Sequence, residues 1–235
     1  MKIFLDTANI DEIKAADKTG LIDGVTTNPS LIAKAGKTPD DIYKAIIDLG
    51  IPDVSMEVMG DFDEMYRDAM QLYTVYKEAA TIKLPMNVEG LQVCSQLNEL
   101  GISTNVTLVF NAAQAVLAAK AGATYVSPFV GRIDDQGYAG LEVVRSIANL
   151  YCTAGVGTKV LAASIRTPHR AVRSFFNGAE VVTMPPKVFW QMYKHVLTDV
   201  GLEIFDQAAK DTFDPTAGVK DEDFVPIPPV PSIFK

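Results

Sequence analysis

One lysine stands inside an otherwise apolar stretch near the middle of the chain, Ala80-Thr81-Ile82-Lys83-Leu84-Pro85. The stretch has the composition of a buried strand, and a lysine is almost never fully buried without a partner or a chemical purpose. Burial between Ile82 and Leu84 would favour the neutral amine, which can attack a ketone to form a Schiff base. The residue alone leaves a second interpretation open, in which Lys83 reaches past the strand end and hydrates like a surface lysine.

Polar residues also close the other apolar stretches, one after another along the chain. Each has an ordinary interpretation when taken alone: Asp6 could cap a helix, Asn28 could be a turn residue, and Glu57 could pair with a charge on a neighbouring strand. Loop arginines are commonly solvated, and threonine is frequent in strands. The full set is Asp6, Asn28, Glu57, Lys83, Asn105, Thr107, Arg132, Ser164 and Arg166.

The elements that carry these residues alternate between strand and helix. Short apolar stretches predict eight strands, and the segments between them show helical caps and spacing, as in Asn9 before residues 10–18 and Thr38 before residues 39–49. The segment from Phe129 to Gly137 is predicted as a glycine-punctuated loop. The predicted strands are residues 2–6, 22–27, 53–58, 80–87, 102–108, 124–128, 159–164 and 180–184.

Eight strand and helix pairs of about 25 residues each are typical of a closed barrel. A doubly wound open sheet would have fewer strands, and neither G-x-G-x-x-G nor a Walker A sequence occurs. The predicted fold class is therefore α/β, a single (β/α)8 TIM barrel over residues 1–210 with a proline-rich extension over residues 211–235. The extension contains Pro226-Ile227-Pro228-Pro229-Val230-Pro231, which favours polyproline II over helix and would dock on a surface rather than build core.

A barrel of this kind gathers the carboxyl ends of its strands, and its chemistry, at one mouth. One lysine, two carboxylates, amides, hydroxyls and two arginines would suit a reaction at a carbonyl carbon in a substrate that carries a phosphate. Arg166 follows the seventh strand, where such barrels often bind phosphate, and a guanidinium matches phosphate oxygens bidentately. The two histidines, His169 and His195, fall in helix-like segments, so no metal site is predicted.

Composition narrows the class of protein further. The chain has 235 residues, a net charge of −8 and 48% hydrophobic residues, which argues for a large core and against a nucleic-acid partner. No apolar stretch is long enough to span a membrane, and the N-terminus enters a strand at once instead of a signal-peptide core. Cys94 and Cys152 make neither a disulfide framework nor a metal site, so the expected location is the cytoplasm.

Five runs of sequence carry most of the candidate residues. The most specific are Gly24-Val25-Thr26-Thr27-Asn28-Pro29-Ser30-Leu31 and Ser127-Pro128-Phe129-Val130-Gly131-Arg132-Ile133-Asp134. The other three are Leu5-Asp6-Thr7-Ala8-Asn9, Ile82-Lys83-Leu84-Pro85 and Leu161-Ala162-Ala163-Ser164-Ile165-Arg166-Thr167-Pro168. These runs resemble the transaldolase family, over about residues 1–205 and with the compact length of its short subfamily, which also contains fructose-6-phosphate aldolases.

The resemblance implies a role for each candidate residue in transferring a dihydroxyacetone unit between sugar phosphates, a reaction of the pentose phosphate pathway. Lys83 would form the Schiff base, Asp6 would take the proton of the C4 hydroxyl, and Glu57 with Thr107 would manage water and protons. No metal or organic cofactor is implied. The implied substrate-binding residues are Asn28, Asn105, Phe129, Arg132, Ser164 and Arg166.

Two positions favour the transferase over the short aldolases. The short aldolases resemble this chain but carry glutamine where Glu57 stands and tyrosine where Phe129 stands. Two alternatives stay open: a fructose-6-phosphate aldolase that uses free dihydroxyacetone, and a non-catalytic barrel that binds sugar phosphates. Relatives of this length resemble ring-shaped homo-oligomers, often decamers, so a homo-oligomer is expected.

Overall fold

The computed structural model describes residues 1–212, with side chains through Lys210. The proline-rich extension predicted for residues 211–235 lies beyond Lys210, and its predicted docking on a surface falls outside the described side chains. Within the described part, no helix is both long enough and apolar enough to cross a membrane.

Eight parallel strands pair in chain order and close on themselves, since β1 pairs with both β2 and β8. This confirms the predicted barrel. The predicted strands all exist, although most are one to three residues shorter than the apolar stretches that predicted them, and β5 ends one residue later. Their bounds are β1 Lys2–Asp6, β2 Gly24–Thr26, β3 Val54–Glu57, β4 Ala80–Pro85, β5 Thr104–Val109, β6 Tyr125–Pro128, β7 Lys159–Ala162 and β8 Val181–Met184.

Helices fill the connections, and caps fix where several of them begin. The Asn9 side chain accepts hydrogen bonds from the amides of Asp11 and Glu12, and Thr38 caps the helix that begins at Pro39. The helices are α1 Ile10–Asp17, α2 Pro29–Ala35, α3 Pro39–Ile47, α4 Phe62–Tyr76, α5 Val88–Glu99, α6 Ala112–Lys120, α7 Val130–Asp135, α8 Gly140–Ala154, α9 Pro168–Phe176, α10 Pro186–Gln191 and α11 Val196–Thr212.

The loop predicted between Phe129 and Gly137 is wrong, because this segment forms the short helix α7. Gly131 gave the loop signal, but it is needed for close packing. A Cβ on Gly131 would lie 2.3 Å from the carbonyl oxygen of Ser164, to which the Gly131 amide donates a hydrogen bond. The glycine therefore lets α7 lie directly against the end of β7.

Side chains alternate along each strand between two cores. The outer core packs strand residues such as Leu5, Met56 and Ile82 against the helices. The inner core fills the barrel below its mouth with Phe4, Tyr125, Leu161, Ala163 and Val181, and the rings of Phe4 and Tyr125 meet edge to face at 6.2 Å. This plug closes the barrel from below and leaves the strand ends to form a site above it.

Gly24 makes room for the inner core, and its replacement should be destabilising. A Cβ at Gly24 would lie 2.6 Å from Cζ of Phe4 and 2.7 Å from the Asp53 carbonyl oxygen. Overpacking of this kind costs about 1–3 kcal/mol, so Gly24→Ala should lower the free energy of unfolding by that amount in urea titrations. Gly157→Ala is the matched control, because a Cβ there meets nothing within 4 Å. Equal stability of the two variants would contradict the described packing.

Candidate active site

Lys83 is buried at the end of β4, and its amine has two oxygen partners. Nζ lies 2.9 Å from Oε2 of Glu57 and donates a 2.9 Å hydrogen bond to the carbonyl oxygen of Thr27. Glu57 and Lys83 are register partners on β3 and β4, so both side chains enter the barrel at the same height. Lys83 is only 5% exposed, which excludes the surface interpretation and leaves its nitrogen within direct proton-transfer distance of Glu57.

Asp6 ends β1 inside the same mouth. The Thr26 hydroxyl donates a 2.9 Å hydrogen bond to its Oδ1, and Asn9, not Asp6, caps the first helix. Burial raises the pKa of the Asp6 carboxyl, because burial disfavours the charged form, while the Lys83 charge and the Thr26 hydrogen bond oppose the rise. Asp6 is therefore a carboxylate with a raised proton affinity, which suits a general base.

Asn105 and Thr107 project into the barrel from β5, and their side chains differ in how they are held. The Asn105 amide donates to Oγ of Ser55 at 3.2 Å and accepts from Oγ of Ser127 at 2.7 Å, so its orientation is fixed. The buried Thr107 hydroxyl has no hydrogen-bond partner among the described residues. An unpartnered buried hydroxyl that faces a cavity is available to a substrate or a water molecule.

Strained backbone occurs within β5 and just after β7. Leu108 has φ 60° and Ser164 has φ 57°, and the register of β5 against β6 shifts between Val106 and Val109. A left-handed backbone at a residue other than glycine is uncommon and tends to occur at functional sites. The shift interrupts the pairing of β5 with β6 at Thr107 and Leu108, and the turn at Ser164 leaves Ser164 in the lining of the mouth.

Phe129 and Arg132 form one wall of the mouth. The Arg132 guanidinium lies 4.9 Å from the centroid of the Phe129 ring, a cation–π distance. The Phe110 and Phe129 rings also pack against each other, with their centroids 5.9 Å apart. Arg132 follows Gly131 on α7, and Gly131 packs against Ser164, so Arg132 and Ser164 both line the cavity.

Arg166 lies outside the cavity. Its guanidinium pairs with both carboxylate oxygens of Asp135, and the pKa of Asp135 is lowered chiefly by this hydrogen bond. The Arg166 side chain is 54% exposed, yet its Nε would lie 2.8 Å from a Cβ on Gly131, so it runs past the rim of the mouth. The predicted contact of Arg166 with a phosphate stays a prediction.

A cavity of about 100 Å³ joins these groups at the carboxyl ends of the strands. Eight of the ten predicted site residues line it. Glu57 instead reaches the cavity through its contact with Lys83, and Arg166 remains at the rim. The lining residues are Asp6, Thr26, Asn28, Lys83, Asn105, Thr107, Phe129, Arg132, Ala163, Ser164, Ser127 and Thr183.

Sequence reasoning missed three hydroxyls of this lining. Thr26, Ser127 and Thr183 belong to β2, β6 and β8 and point into the barrel. Strand alternation was the available signal, since Ser127 lies two residues before Phe129 and Thr26 pairs in register with Asp6. Threonine and serine carry no charge inside an apolar run, so only the barrel geometry singles them out.

Neither histidine lines the cavity. His169 is exposed on α9 and His195 is exposed just before α11, where its Nδ1 accepts a hydrogen bond from the Leu197 amide. Within residues 1–212, no group of three His, Cys, Asp or Glu side chains is placed to hold a metal ion.

Comparison with known proteins gives this barrel a family. Residues 3–223 match the family model described as Transaldolase/Fructose-6-phosphate aldolase. The chain belongs to this family. Proteins named "Probable transaldolase" are similar to it over 206 residues, which is 87% of this chain: one from Symbiobacterium thermophilum at 45% identity, one from Clostridium tetani at 47% and one from Thermodesulfovibrio yellowstonii at 48%. The match covers 95%, 96% and 96% of those relatives.

Proposed function

We propose that this member of the transaldolase family is a transaldolase. It would transfer a dihydroxyacetone unit from sedoheptulose 7-phosphate to glyceraldehyde 3-phosphate, yielding erythrose 4-phosphate and fructose 6-phosphate. The observation that carries the proposal is the buried Lys83 amine, 2.9 Å from Glu57 in a mouth that also holds Asp6. Relatives named as probable transaldolases support the same reaction class.

Schiff-base formation begins when Lys83, as the neutral amine, attacks the C2 ketone of the ketose phosphate. The proton that leaves the Lys83 ammonium passes to Glu57, its ion-pair partner. The C2 oxygen then departs as water, and an iminium ion joins C2 to the lysine nitrogen. Glu57 returns the proton for this step, and the unpartnered Thr107 hydroxyl holds the departing water.

Carbon–carbon cleavage follows at the C3–C4 bond. Asp6 takes the proton of the C4 hydroxyl, C4 becomes the aldehyde of the released aldose phosphate, and the electron pair of the broken bond flows into the iminium ion. The dihydroxyacetone unit remains on Lys83 as an enamine. The reverse steps, with an acceptor aldehyde, form the new ketose phosphate and free the lysine.

Substrate binding uses side chains with unused hydrogen-bonding capacity. Asn28 caps α2 with its carbonyl oxygen, which leaves its amide NH₂ free to donate to a sugar hydroxyl. The fixed amide of Asn105 hydrogen-bonds the hydroxyls of the dihydroxyacetone unit from the opposite side of the mouth. Arg132 and Ser164 bind the phosphate at the α7 and β7 side of the mouth, and Arg166 joins them when it leaves Asp135.

Loss of Arg132 should weaken binding of phosphorylated substrates selectively. Arg132→Ala removes a charge-assisted contact of about 1.5–3 kcal/mol, so kcat/KM for fructose 6-phosphate should fall roughly 10- to 150-fold. Cleavage of unphosphorylated fructose should change much less. Arg145→Ala, which removes an exposed arginine on α8, is the matched control. An equal fall in kcat/KM for both substrates would show that the phosphate does not bind at Arg132.

The family description also names fructose-6-phosphate aldolase, so the two activities must be separated. Free dihydroxyacetone forms when the enamine is protonated and the imine is then hydrolysed, and Phe129 places no hydroxyl near the enamine that could supply this proton. With fructose 6-phosphate and erythrose 4-phosphate present, the native chain should make sedoheptulose 7-phosphate much faster than free dihydroxyacetone. Glu57→Gln combined with Phe129→Tyr should shift the ratio toward dihydroxyacetone. Mostly free dihydroxyacetone from the native chain would favour the aldolase.

We also propose a homo-oligomer in the cytoplasm. Helix α11 exposes large apolar side chains, including Val196, Leu197, Ile204 and Phe205, each at least 60% exposed. A second copy of the chain would cover such a face, and a decamer stays a prediction. Sedimentation equilibrium of the full chain should give an oligomer that Leu197→Lys with Phe205→Lys weakens. A monomeric native chain would contradict the proposed oligomer.

The proposed location in the cytoplasm is supported by the cysteines. The free thiols of Cys94 and Cys152 suit a reducing compartment.

A further inference from the structure

Thr183 holds a second hydroxyl close to the one that contacts Asp6. Its Oγ1 lies 2.6 Å from Oγ1 of Thr26, and both threonines are 2% exposed. They come from β8 and β2, the two strands that flank β1, the strand that carries Asp6. Thr183 therefore reaches the region beneath Asp6 from the opposite side to Thr26.

Counting hydroxyl protons gives this contact a direction. Thr26 has one hydroxyl proton, and it donates that proton to Oδ1 of Asp6. The 2.6 Å contact with Thr183 must then use the Thr183 proton and a lone pair of Thr26. The hydrogen bonds consequently run from Thr183 to Thr26 and from Thr26 to the Asp6 carboxylate.

We propose that Thr183 is a positioning residue for the reaction, holding the Thr26 hydroxyl so that it donates to Asp6 when Asp6 is the ionised base. This inference rests on the proposed function, in which Asp6 accepts the C4 hydroxyl proton. Thr183 acts only through Thr26, and its effect is on the protonation of Asp6, whereas formation of the Schiff base at Lys83 does not depend on it.

Successive hydrogen bonds polarise one another, and inside a protein they are stronger than in water. The hydrogen bond from Thr26 is charge-assisted, and therefore strong, only while Asp6 is ionised. The pair of threonines therefore favours the ionised form of Asp6 over the protonated form. The charged groups that act on Asp6 are Lys83 on β4, Glu57 on β3 and Arg132 on α7. Replacing Thr183 with an uncharged residue leaves all three charges in place.

The test compares Thr183→Val, which keeps the side-chain shape, with Thr183→Ser, which keeps the hydroxyl. The assay is transfer from fructose 6-phosphate to erythrose 4-phosphate, measured over a pH series that covers the whole acid limb of the native activity. Thr183→Val should move the acid limb of kcat to higher pH and lower kcat on that limb by about threefold to tenfold. KM and borohydride trapping should stay within about twofold of the native values, and Thr183→Ser should restore the native profile.

Two further variants separate this role from a structural one. Thr104→Val is the matched control, since Thr104 is equally buried on β5 but its hydroxyl lies 3.3 Å from Sγ of Cys94, away from Asp6. Thr26→Val should move the acid limb further than Thr183→Val, and adding Thr183→Val to it should change nothing more. Should valine prevent folding, Thr183→Ala makes the same comparison.

A native pH profile in Thr183→Val, or an additive shift in the double variant, would overturn the inference. These outcomes differ from failure of the proposed function. If the native chain gives no trappable adduct with fructose 6-phosphate, the proposed function fails. If the adduct forms but the acid limb of Thr183→Val matches that of the native chain, only the inference about Thr183 fails.

Discussion

Lys83→Met should abolish transfer between sugar phosphates, with kcat falling by roughly 10⁴-fold or more. Methionine has a similar length but offers no nitrogen, so neither the iminium ion nor the enamine can form. Covalent trapping by borohydride in the presence of fructose 6-phosphate should disappear in the same variant. Coupled assays of sedoheptulose 7-phosphate formation measure the loss, and trapping measures its cause.

The control must account for Glu57, which Lys83→Met leaves buried without its partner. Breaking a buried ion pair in this way destabilises a protein by about 3–5 kcal/mol, so the single variant could lose activity through unfolding. Lys83→Met with Glu57→Gln removes both charges and should recover stability without recovering activity. Lys34→Met changes an exposed lysine on α2 and should be fully active. Substantial transfer by either Lys83 variant would refute the Schiff-base mechanism.

Asp6→Asn should separate Schiff-base formation from carbon–carbon cleavage. An amide of the same shape can accept the Thr26 hydrogen bond but cannot take the C4 hydroxyl proton, so kcat should fall by about 10²–10⁴-fold. Borohydride trapping of fructose 6-phosphate on Lys83 should persist, because the amine and Glu57 are intact.

The pH dependence of activity in the native chain tests independently whether Asp6 is the base. A base must be ionised to act, so activity should fall as the pH drops through the pKa of Asp6, which burial raises above the ordinary aspartate value. The acid limb should therefore lie at higher pH than an exposed aspartate would give, and Asp6→Asn should remove it from the residual rate. Asp48→Asn, at an exposed site on the surface, should keep the native profile. Loss of trapping in Asp6→Asn would assign Asp6 to imine formation instead.

The sequence was sufficient to predict the barrel and most of its mouth, for one physical reason. Parallel strands place their carboxyl ends at a common edge, so a polar residue that closes an apolar run is directed to the same place each time. Asp6, Asn28, Lys83 and Asn105 follow this rule and line one cavity. Glu57 was also open to interpretation as an ion-pair residue, and its contact with Lys83 is both an ion pair and a route for protons.

Features that depend on packing between distant segments could not be predicted in this way. Gly131 was interpreted as a loop residue, but a glycine is needed there because Ser164 approaches it closely. Ser164 is 33 residues further along the chain, so the sequence around Gly131 does not reveal this contact. The pairing of Arg166 with Asp135 depends equally on where α7 lies. Thr26 and Thr183 meet across β1 only when the barrel closes.

The most direct test of the Schiff-base mechanism is to locate the covalent intermediate. The full-length chain is reduced with borohydride in the presence of fructose 6-phosphate, digested, and its peptides are mapped by mass. We expect a reduced dihydroxyacetone adduct on the peptide that contains Lys83 and on no other lysine. An adduct at Lys34, Lys37 or Lys187, or the absence of any adduct from a folded and active protein, would contradict the mechanism.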